Sequence, residues 1–155
     1  MPHLRPSSEL LGQAQFVLER ERLRLSALTT GELVLTGGSS VRGALTGGDI
    51  DLHLRVDPAE FAESVNRLRE VYEPVHLGIW TSSLATFAVP GEDVGIAVTP
   101  VGSEHDRRFA DAWRRLRADP SLLEAYNRMK RDHAADVDAD FVGAKADFFN
   151  SLADG

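Results

Sequence analysis

The spacing of apolar residues changes along the chain between a helical and a strand-like period. Repeats of three to four residues predict amphipathic helices, whereas strict alternation predicts half-buried strands. Asp57-Pro58 and Asp119-Pro120 carry residue types that begin helices, and Ser103 with Asp106 resembles a capping box, with Asp in place of the usual Glu. In chain order, the pattern first predicts a helix at 7–28 capped by Ser7 or Ser8, strands at 32–36 and 49–56, and a helix at 57–72. It then predicts strand segments at 75–79, 84–89 and 94–98. Three helices follow after Gly102, and the last of them carries Val142, Ala146, Phe149 and Leu152.

This order of elements predicts an α+β fold. We expect a mixed β-sheet of about four or five strands with helices packed on it, and a C-terminal helical extension. A turn at Pro90-Gly91 is typical of a hairpin between the last two strands. We expect a single domain over residues 1–155, with the sheet-bearing core in 1–102 and the helical extension in 103–152.

Composition limits the classes of partner. With 155 residues, 43% of them hydrophobic, the chain is large enough for one core, and its net charge of -7 disfavours extended nucleic acid and anionic membranes. The absence of cysteine excludes disulfides and thiolate sites and fits a reducing compartment. No apolar run reaches the length of a signal peptide or a membrane span. We therefore expect a cytoplasmic protein; its oligomeric state is left open.

The polar face of the predicted strand at 49–56 carries two carboxylates. Asp49 and Asp51 lie two residues apart, so both side chains project from one face, about 7 Å apart along the strand. Magnesium prefers oxygen ligands and is commonly held by one or two carboxylates together with substrate phosphates. The pair therefore predicts a site for Mg²⁺ or Mn²⁺, in which Asp49 and Asp51 are the metal ligands and the catalytic residues.

A glycine-rich segment precedes these carboxylates. Gly37 and Gly38, followed by Ser39 and Ser40, stand where the strand at 32–36 ends. Small residues let backbone N–H groups approach a phosphate closely, and the serine hydroxyls add donors. We predict a phosphate-binding turn facing the carboxylate pair.

Other interpretations of these residues stay open. Asp49 and Asp51 could belong to the solvated face of an edge strand, and the glycines between 37 and 48 could serve only tight turns. His53 shares the strand face of the carboxylates and is a candidate for substrate contact, or an ordinary polar residue. No histidine spacing typical of zinc is present.

Basic residues are concentrated in one predicted helix, between 107 and 117. Some of them, together with Arg42, Lys130 or Lys145, could reach a nucleoside triphosphate; the alternative is ion pairing with nearby acids. The aromatic residues of the C-terminal half have core spacing, which favours packing over base stacking. The arginines are Arg107, Arg108, Arg114, Arg115 and Arg117, and the aromatic residues are Phe109, Trp113, Tyr126 and Phe149.

Two family resemblances rest on these residues. Gly38-Ser39, nine further residues and then Asp49-Ile50-Asp51-Leu52 resemble the signature of the polymerase-β-like nucleotidyltransferase superfamily. A second set resembles the GrpB-like family of small bacterial proteins, which is assigned the nucleotidyltransferase fold. That set is Ser39-Ser40-Val41-Arg42-Gly43, Val101-Gly102-Ser103, Arg108-Phe109, Leu116-Arg117-Ala118-Asp119-Pro120, Tyr126, Lys130 and Lys145-x-x-Phe148.

The resemblance implies a metal-dependent nucleotidyltransferase that binds Mg-NTP and transfers a nucleotidyl group to an unidentified small acceptor. Active members of the superfamily usually supply a third carboxylate from a later strand, and here only Glu92 and Asp93 stand nearby. Arg42 replaces a proline typical of GrpB-like sequences, and residues 94–98 lack the histidine often found there. The alternative is a non-catalytic protein that binds a nucleotide or a phosphorylated metabolite, or serves a partner protein in the manner of an antitoxin.

Overall fold

The structure, a computed structural model, describes residues 4–37, 40–46 and 48–134. Within these described ranges lie four helices and seven strands, with 3-10 turns at Ser7–Leu10, Pro58–Glu60 and Leu77–Ile79. The helices are α1 (Leu11–Leu25), α2 (Phe61–Leu68), α3 (Glu104–Ala118) and α4 (Pro120–Ala134). The strands are β1 (Arg5–Pro6), β2 (Glu32–Thr36), β3 (Leu45–Thr46), β4 (Ile50–Val56), β5 (Glu73–Pro74), β6 (Ala85–Ala88) and β7 (Val94–Pro100).

Five strands form a mixed sheet in the order β2-β4-β7-β6-β5, and β1 pairs with β3 in a separate two-stranded sheet. β4 and β7 are parallel, while the other neighbours are antiparallel, including the predicted β6–β7 hairpin. The predicted α+β fold with a mixed sheet is thus confirmed. Because β4 lies between β2 and β7, the interpretation of its polar face as part of an edge strand is wrong.

The main core covers one face of the five-stranded sheet. Alternation along β4 turns Ile50, Leu52, Leu54 and Val56 to this face, where α1 and α2 cover them. The strand's other face carries Asp51, His53 and Arg55 and meets α3. Each face of β4 is thus covered by different helices, and the polar face belongs to the C-terminal half of the molecule.

A second, smaller core joins the glycine-rich loop to α3 and α4. We define this loop as Gly37, residues 40–46 and Gly48, the part of 37–48 that the structure describes. Val41 and Ala44 from the loop are buried against Trp113, Leu116 and Tyr126. The rings of Trp113 and Tyr126 meet edge to face, with centroids 5.5 Å apart. The C-terminal helices therefore pack directly on the loop.

Several local predictions differ from the structure. Residues 77–79 form a 3-10 turn instead of a strand, because His76 adopts a left-handed conformation with φ of 52°. The helix predicted to reach Tyr72 ends at Leu68. Ser7 does not cap a helix, since its hydroxyl donates to the carbonyl of Val41. Asp57 and Ser103 do cap helices, whereas the predicted final helix lies outside the described residues.

Candidate functional site

The carboxylate of Asp51 lies between two glycines at the sheet surface. Asp51 pairs with Thr36 on β2 and with Gly95 on β7. A Cβ atom built on Gly37 would lie 2.5 Å from Oδ2 of Asp51, and one built on Gly95 would lie 3.4 Å from Oδ1. Gly37 also has φ of +70°, a conformation that favours glycine. The end of β2 can approach Asp51 this closely only because residue 37 has no side chain.

Asp49 enters the same site from the start of β4. It directly follows Gly48, whose φ of +104° turns the glycine-rich loop back toward the sheet. The amide of Ile50 donates to the carbonyl of Asp93, 3.0 Å away, which fixes the backbone between the two carboxylates. Asp49 and Asp51 are both half-buried, so an incoming cation reaches them without unfolding the strand.

The glycine-rich loop is fixed from two sides. On one side, the amide of Ser7 donates to Ala44 O at 2.8 Å, and its hydroxyl donates to Val41 O at 2.5 Å. On the other side, Asn127 of α4 accepts from the amide of Leu45 at 2.8 Å and donates to Gly43 O at 3.0 Å. These bonds satisfy the backbone of a loop that lacks a sheet partner for most of its length.

Tyr126 and Lys130 of α4 lie behind the carboxylates. Burial raises the pKa of the Tyr126 phenol, and the negative charges of Asp51 and Asp49 raise it further. Nζ of Lys130, a residue only 8% exposed, lies 5.7 Å from the centre of the Tyr126 ring. The structure thus brings the predicted Lys130 to the same part of the molecule as the carboxylate pair.

A cleft of about 1240 Å³ opens beside Asp49 and Asp51. Its floor is the polar face of β4, β7 and β6, its opposite wall is α3, and its far end is the segment that contains Val75 and Ile79. Ligand pockets typically measure roughly 300 to 1,000 Å³. The cleft therefore has room for a nucleotide together with a second small molecule.

The other polar residues of β4 form a closed network under α3. Arg55 makes two hydrogen bonds to Asp106, at 2.7 and 2.9 Å, and the hydroxyl of Thr99 donates to the same carboxylate at 3.2 Å. His53 Nε2 lies 2.7 Å from Thr99 Oγ1. Because the single hydroxyl proton of Thr99 goes to Asp106, His53 donates through Nε2. His53, predicted as a possible substrate contact, is 2% exposed and has a structural partner.

Titration within this network follows from burial and pairing. Burial lowers the pKa of His53 to about 4, although the charge of Asp106 opposes the change. Burial alone would raise the pKa of Asp106, but hydrogen bonds from Arg55 and from the amide of Gly102 outweigh it and lower the pKa to about 2. At neutral pH the network therefore holds a neutral imidazole and an ionised carboxylate.

β7, the strand that lies parallel to β4, carries no carboxylate between Val94 and Pro100. Gly95 stands opposite Asp51 on the neighbouring strand, and Ala97 stands opposite His53. Glu92 is ion-paired with Arg20 of α1 at 2.9 Å, and Asp93 is exposed in the turn before β7. Among the described residues, no three His, Asp or Glu side chains are grouped so that they could hold a metal ion.

The remaining predicted residues are placed less centrally. Arg42 is exposed on the glycine-rich loop, and Ser40 bonds to the carbonyl of Gly37 through its amide and its hydroxyl. Gly38, Ser39 and Lys145 lie outside the described residues. The arginines of α3 are divided: Arg107 donates to Gly102 O, Arg114 pairs with Asp111, and Arg117 reaches Ser40.

Sequence reasoning missed several residues of this site. Ser7 and Asn127 hold the glycine-rich loop from positions 34 and 82 residues away from their partners. Asp106 was predicted as part of a capping box, yet its carboxylate accepts from Arg55, Thr99 and Gly102 instead of from the Ser103 amide. No local spacing signals such long-range pairs.

Comparison with known proteins supports the fold. No protein-family model matches the chain, and no curated protein matches it in sequence. In the described part of the chain, no helix has both the length and the apolar character needed to cross a membrane. Among solved structures, the conserved protein GrpB from Enterococcus faecalis has a TM-score of 0.68 at 14% identity, covering 97% of this chain and 99% of that one. The resemblance to the GrpB-like family is thus confirmed as a shared fold.

The Cid1 poly(U) polymerase has the same fold in part of its length. One structure of Cid1, which has RNA terminal uridylyl transferase activity, has a TM-score of 0.55 at 16% identity and covers 81% of this chain and 40% of that one. Cid1 with its short product ApU has a TM-score of 0.53 at 17% identity, again over 81% and 40%. Cid1 has also been solved with MgGTP bound. The chain therefore has a nucleotidyltransferase-like fold and spans about 40% of the length of Cid1.

Proposed function

We propose that this chain binds a nucleoside triphosphate with a divalent cation and transfers its nucleotidyl group to a small acceptor. One observation carries the proposal: the Asp49 and Asp51 carboxylates stand half-buried at one end of a 1240 Å³ cleft, against Gly37 of a fixed glycine-rich loop. The nucleotide would occupy the end near the carboxylates. The acceptor would enter from the remainder of the cleft, between the sheet and α3.

The donor set of the site fits Mg²⁺ or Mn²⁺. Two carboxylates from one strand supply oxygen ligands, and phosphate oxygens and water complete the coordination of such ions in many proteins. A bound cation would neutralise negative charge on the phosphates during displacement of pyrophosphate. Asp49 and Asp51 are the residues that would hold it.

The chain's own residues would bind and orient the phosphates. We propose that Gly38 and Ser39 hold the β and γ phosphates, as the superfamily signature implies. Lys130, buried beside Tyr126, would contribute positive charge close to the two carboxylates. Ser7 and Asn127 fix residues 41–45 of the glycine-rich loop by hydrogen bonds, and a preorganised binding segment has a lower entropic cost of binding.

A small acceptor is favoured over a polynucleotide by charge. The net charge of -7 opposes the counterion release that drives binding to long nucleic acids. Cid1, which shares the fold, is described as an RNA terminal uridylyl transferase, so a short RNA end is the competing acceptor class. We also propose a cytoplasmic location, which the absence of cysteine fits.

A non-catalytic nucleotide-binding protein is the second candidate function. It is favoured by Gly95, which stands opposite Asp51 where an acid would complete the catalytic set. In that case the same loop and carboxylates would bind a Mg-nucleotide or phosphorylated metabolite without turnover.

Calorimetric titration of the four common NTPs, with and without Mg²⁺, tests binding. We expect Mg²⁺-dependent binding to the wild type, weakened in Asp49→Asn and Asp51→Asn by at least the roughly 10- to 100-fold that changes around metal ligands cost. Glu63→Gln is the matched control, because it removes one exposed carboxylate on α2, across the sheet. Absence of Mg²⁺-dependent binding of any NTP to the wild type would overturn nucleotidyl transfer and the nucleotide-binding form of the second candidate.

Pyrophosphate release with a panel of small acceptors then separates transfer from binding. Release by the wild type, lost in Asp51→Asn, supports nucleotidyl transfer. Binding without release in the wild type, with release gained in Gly95→Asp, supports the second candidate and shows what the missing carboxylate would supply. Gly95→Asn is the uncharged control at that position.

A further inference from the structure

An arginine from the N-terminal strand reaches the end of the glycine-rich loop that leads into Asp49. β1 pairs with β3 so that Arg5 stands opposite Thr46. A Cβ atom built on Gly48 would lie 3.2 Å from Nη2 of Arg5. The guanidinium therefore lies against the turn that delivers the first metal-binding carboxylate, although Arg5 is far from it in sequence.

A second arginine reaches the other end of the same loop. Arg117 lies in the last turn of α3, and its Nη1 is 3.4 Å from the hydroxyl oxygen of Ser40. Ser40 in turn donates to the carbonyl of Gly37, from its amide at 3.0 Å and its hydroxyl at 2.7 Å. Arg117 is thus connected through Ser40 to the residue that packs on Asp51.

The two ends of the loop meet at the carboxylate pair. β2 and β4 are antiparallel neighbours in which Thr36 pairs with Asp51, so Gly37 after β2 lies beside the start of β4. Arg117 contacts the loop on its β2 side, through Ser40, and Arg5 contacts it on its β4 side, at Gly48. Both are exposed at the surface, and so each guanidinium is accessible to a ligand from solvent.

The charge of this site matches a polyphosphate. A divalent cation on Asp49 and Asp51 is offset by those two acids, so basic groups are left to meet the negative charge of the phosphates, which grows with each phosphate added. Arginine binds phosphate oxygens with paired, directional donors. We infer that Arg5 and Arg117 bind the phosphate chain of the ligand from the two ends of the glycine-rich loop and make the site selective for a triphosphate over a monophosphate. The inference rests on the proposed function, because it concerns the same site.

Calorimetry with three probes, all with Mg²⁺, tests the inference: ATP, AMP and inorganic tripolyphosphate. For Arg5→Ala and Arg117→Ala we expect affinity for ATP and tripolyphosphate to fall about tenfold each, the effect of one lost charge-assisted hydrogen bond, with AMP affinity unchanged. Arg5→Lys should restore part of the loss. Arg67→Ala removes an exposed arginine on α2, across the sheet, and should leave all three affinities unchanged.

The outcomes separate this inference from the proposed function. If both arginine variants bind ATP with the same preference over AMP as the wild type, the inference alone is overturned. Tripolyphosphate binding that depends on the arginines, without Mg²⁺-dependent binding of any NTP, supports the inference and overturns the proposed function. Wild-type protein that binds none of the probes overturns both. If Arg5→Ala lowers the melting temperature, Arg117→Ala and Arg5→Lys, compared at matched stability, decide the result.

Discussion

The two ends of the polar face of β4 differ in what packs against them. Asp51, His53 and Arg55 follow one another on the same side of one strand, yet their surroundings differ. At the end that we call closed, the buried Asp106 of α3 accepts from Arg55 and Thr99, so Arg55 is paired although it also borders the cleft. At the end that we call open, Asp51 borders the cleft between Gly37 and Gly95, two residues whose missing side chains make room for its carboxylate. What each polar residue does is thus decided by the side chain that a distant segment brings against it.

The same comparison distinguishes charged groups that stabilise the fold from charged groups that could bind a ligand. A buried ion pair with several hydrogen bonds costs much to break, because one partner stays buried without compensation. A half-exposed carboxylate pair can accept a cation with little rearrangement. The closed end would therefore govern stability, and the open end would govern binding.

Asp106→Ala tests the closed end and should have the largest effect on stability. It removes the carboxylate that holds Arg55, Thr99 and the Gly102 amide. We expect the free energy of unfolding to fall by about 3 to 5 kcal/mol, measured by denaturant titration. Asp111→Ala, which breaks the exposed pair with Arg114, should cost no more than about 1 kcal/mol. Equal losses in the two variants would show that the network contributes no special stability.

The element order and the open end could be read from local patterns, but the closed end could not. The period of apolar residues predicted a mixed sheet of about four or five strands, and the structure shows five. Asp57 and Ser103 marked helix starts that the structure shows. The alternation in 49–56 placed Asp51 on a polar face. Asp106, however, had a sufficient local explanation as a capping residue, and its pairing with Arg55 spans 51 residues. Pairs set by tertiary packing leave no periodic signal.

The same limit explains why residues 77–79 do not continue the predicted strand and why no pattern singles out Arg5. The alternation of Val75, Leu77 and Ile79 is typical of a strand, but His76 takes a left-handed conformation that interrupts it. Arg5 precedes the helix predicted at 7–28, and no spacing in the sequence marks it. Its contact with Gly48 depends on the pairing of two very short strands.

Acid should destabilise the protein through His53 before it affects Asp106. The folded pKa of His53 is lowered to about 4, below the ordinary value of 6.5, so between these values the unfolded chain binds a proton that the folded chain does not. The free energy of unfolding should therefore fall as pH drops from about 6.5 to 4, by about 3 kcal/mol at most at about 1.4 kcal/mol per pH unit. Asp106, with its pKa lowered to about 2, loses its contribution only below about pH 4.

His53→Gln isolates the contribution of His53 protonation to the free energy of unfolding, because glutamine can still donate to Thr99 but does not titrate. Denaturant titrations at pH 7, 5.5 and 4 should show a shallower decline in the variant than in the wild type. Parallel declines would mean that other groups account for the acid sensitivity.

At the open end, Gly37→Ala compared with Gly91→Ala separates backbone strain from contact with Asp51. Both glycines have positive φ, +70° and +77°, so alanine at either position should cost about 1 to 3 kcal/mol in strain. A Cβ at Gly91 meets nothing within 4 Å, whereas a Cβ at Gly37 would lie 2.5 Å from Oδ2 of Asp51. We expect Gly37→Ala to be the less stable by about 1 to 3 kcal/mol, the usual cost of overpacking.

The same displacement of Asp51 should weaken Mg²⁺-dependent ATP binding in Gly37→Ala, while Gly91→Ala binds as the wild type does. Calorimetry at a temperature where both variants are folded checks this. Equal binding by the two variants would mean that Asp51 moves without consequence, and would remove it from the proposed metal site. Selective loss in Gly37→Ala would instead show that a missing side chain on β2 keeps the Asp51 carboxylate in place, because the paired variant carries the same backbone strain.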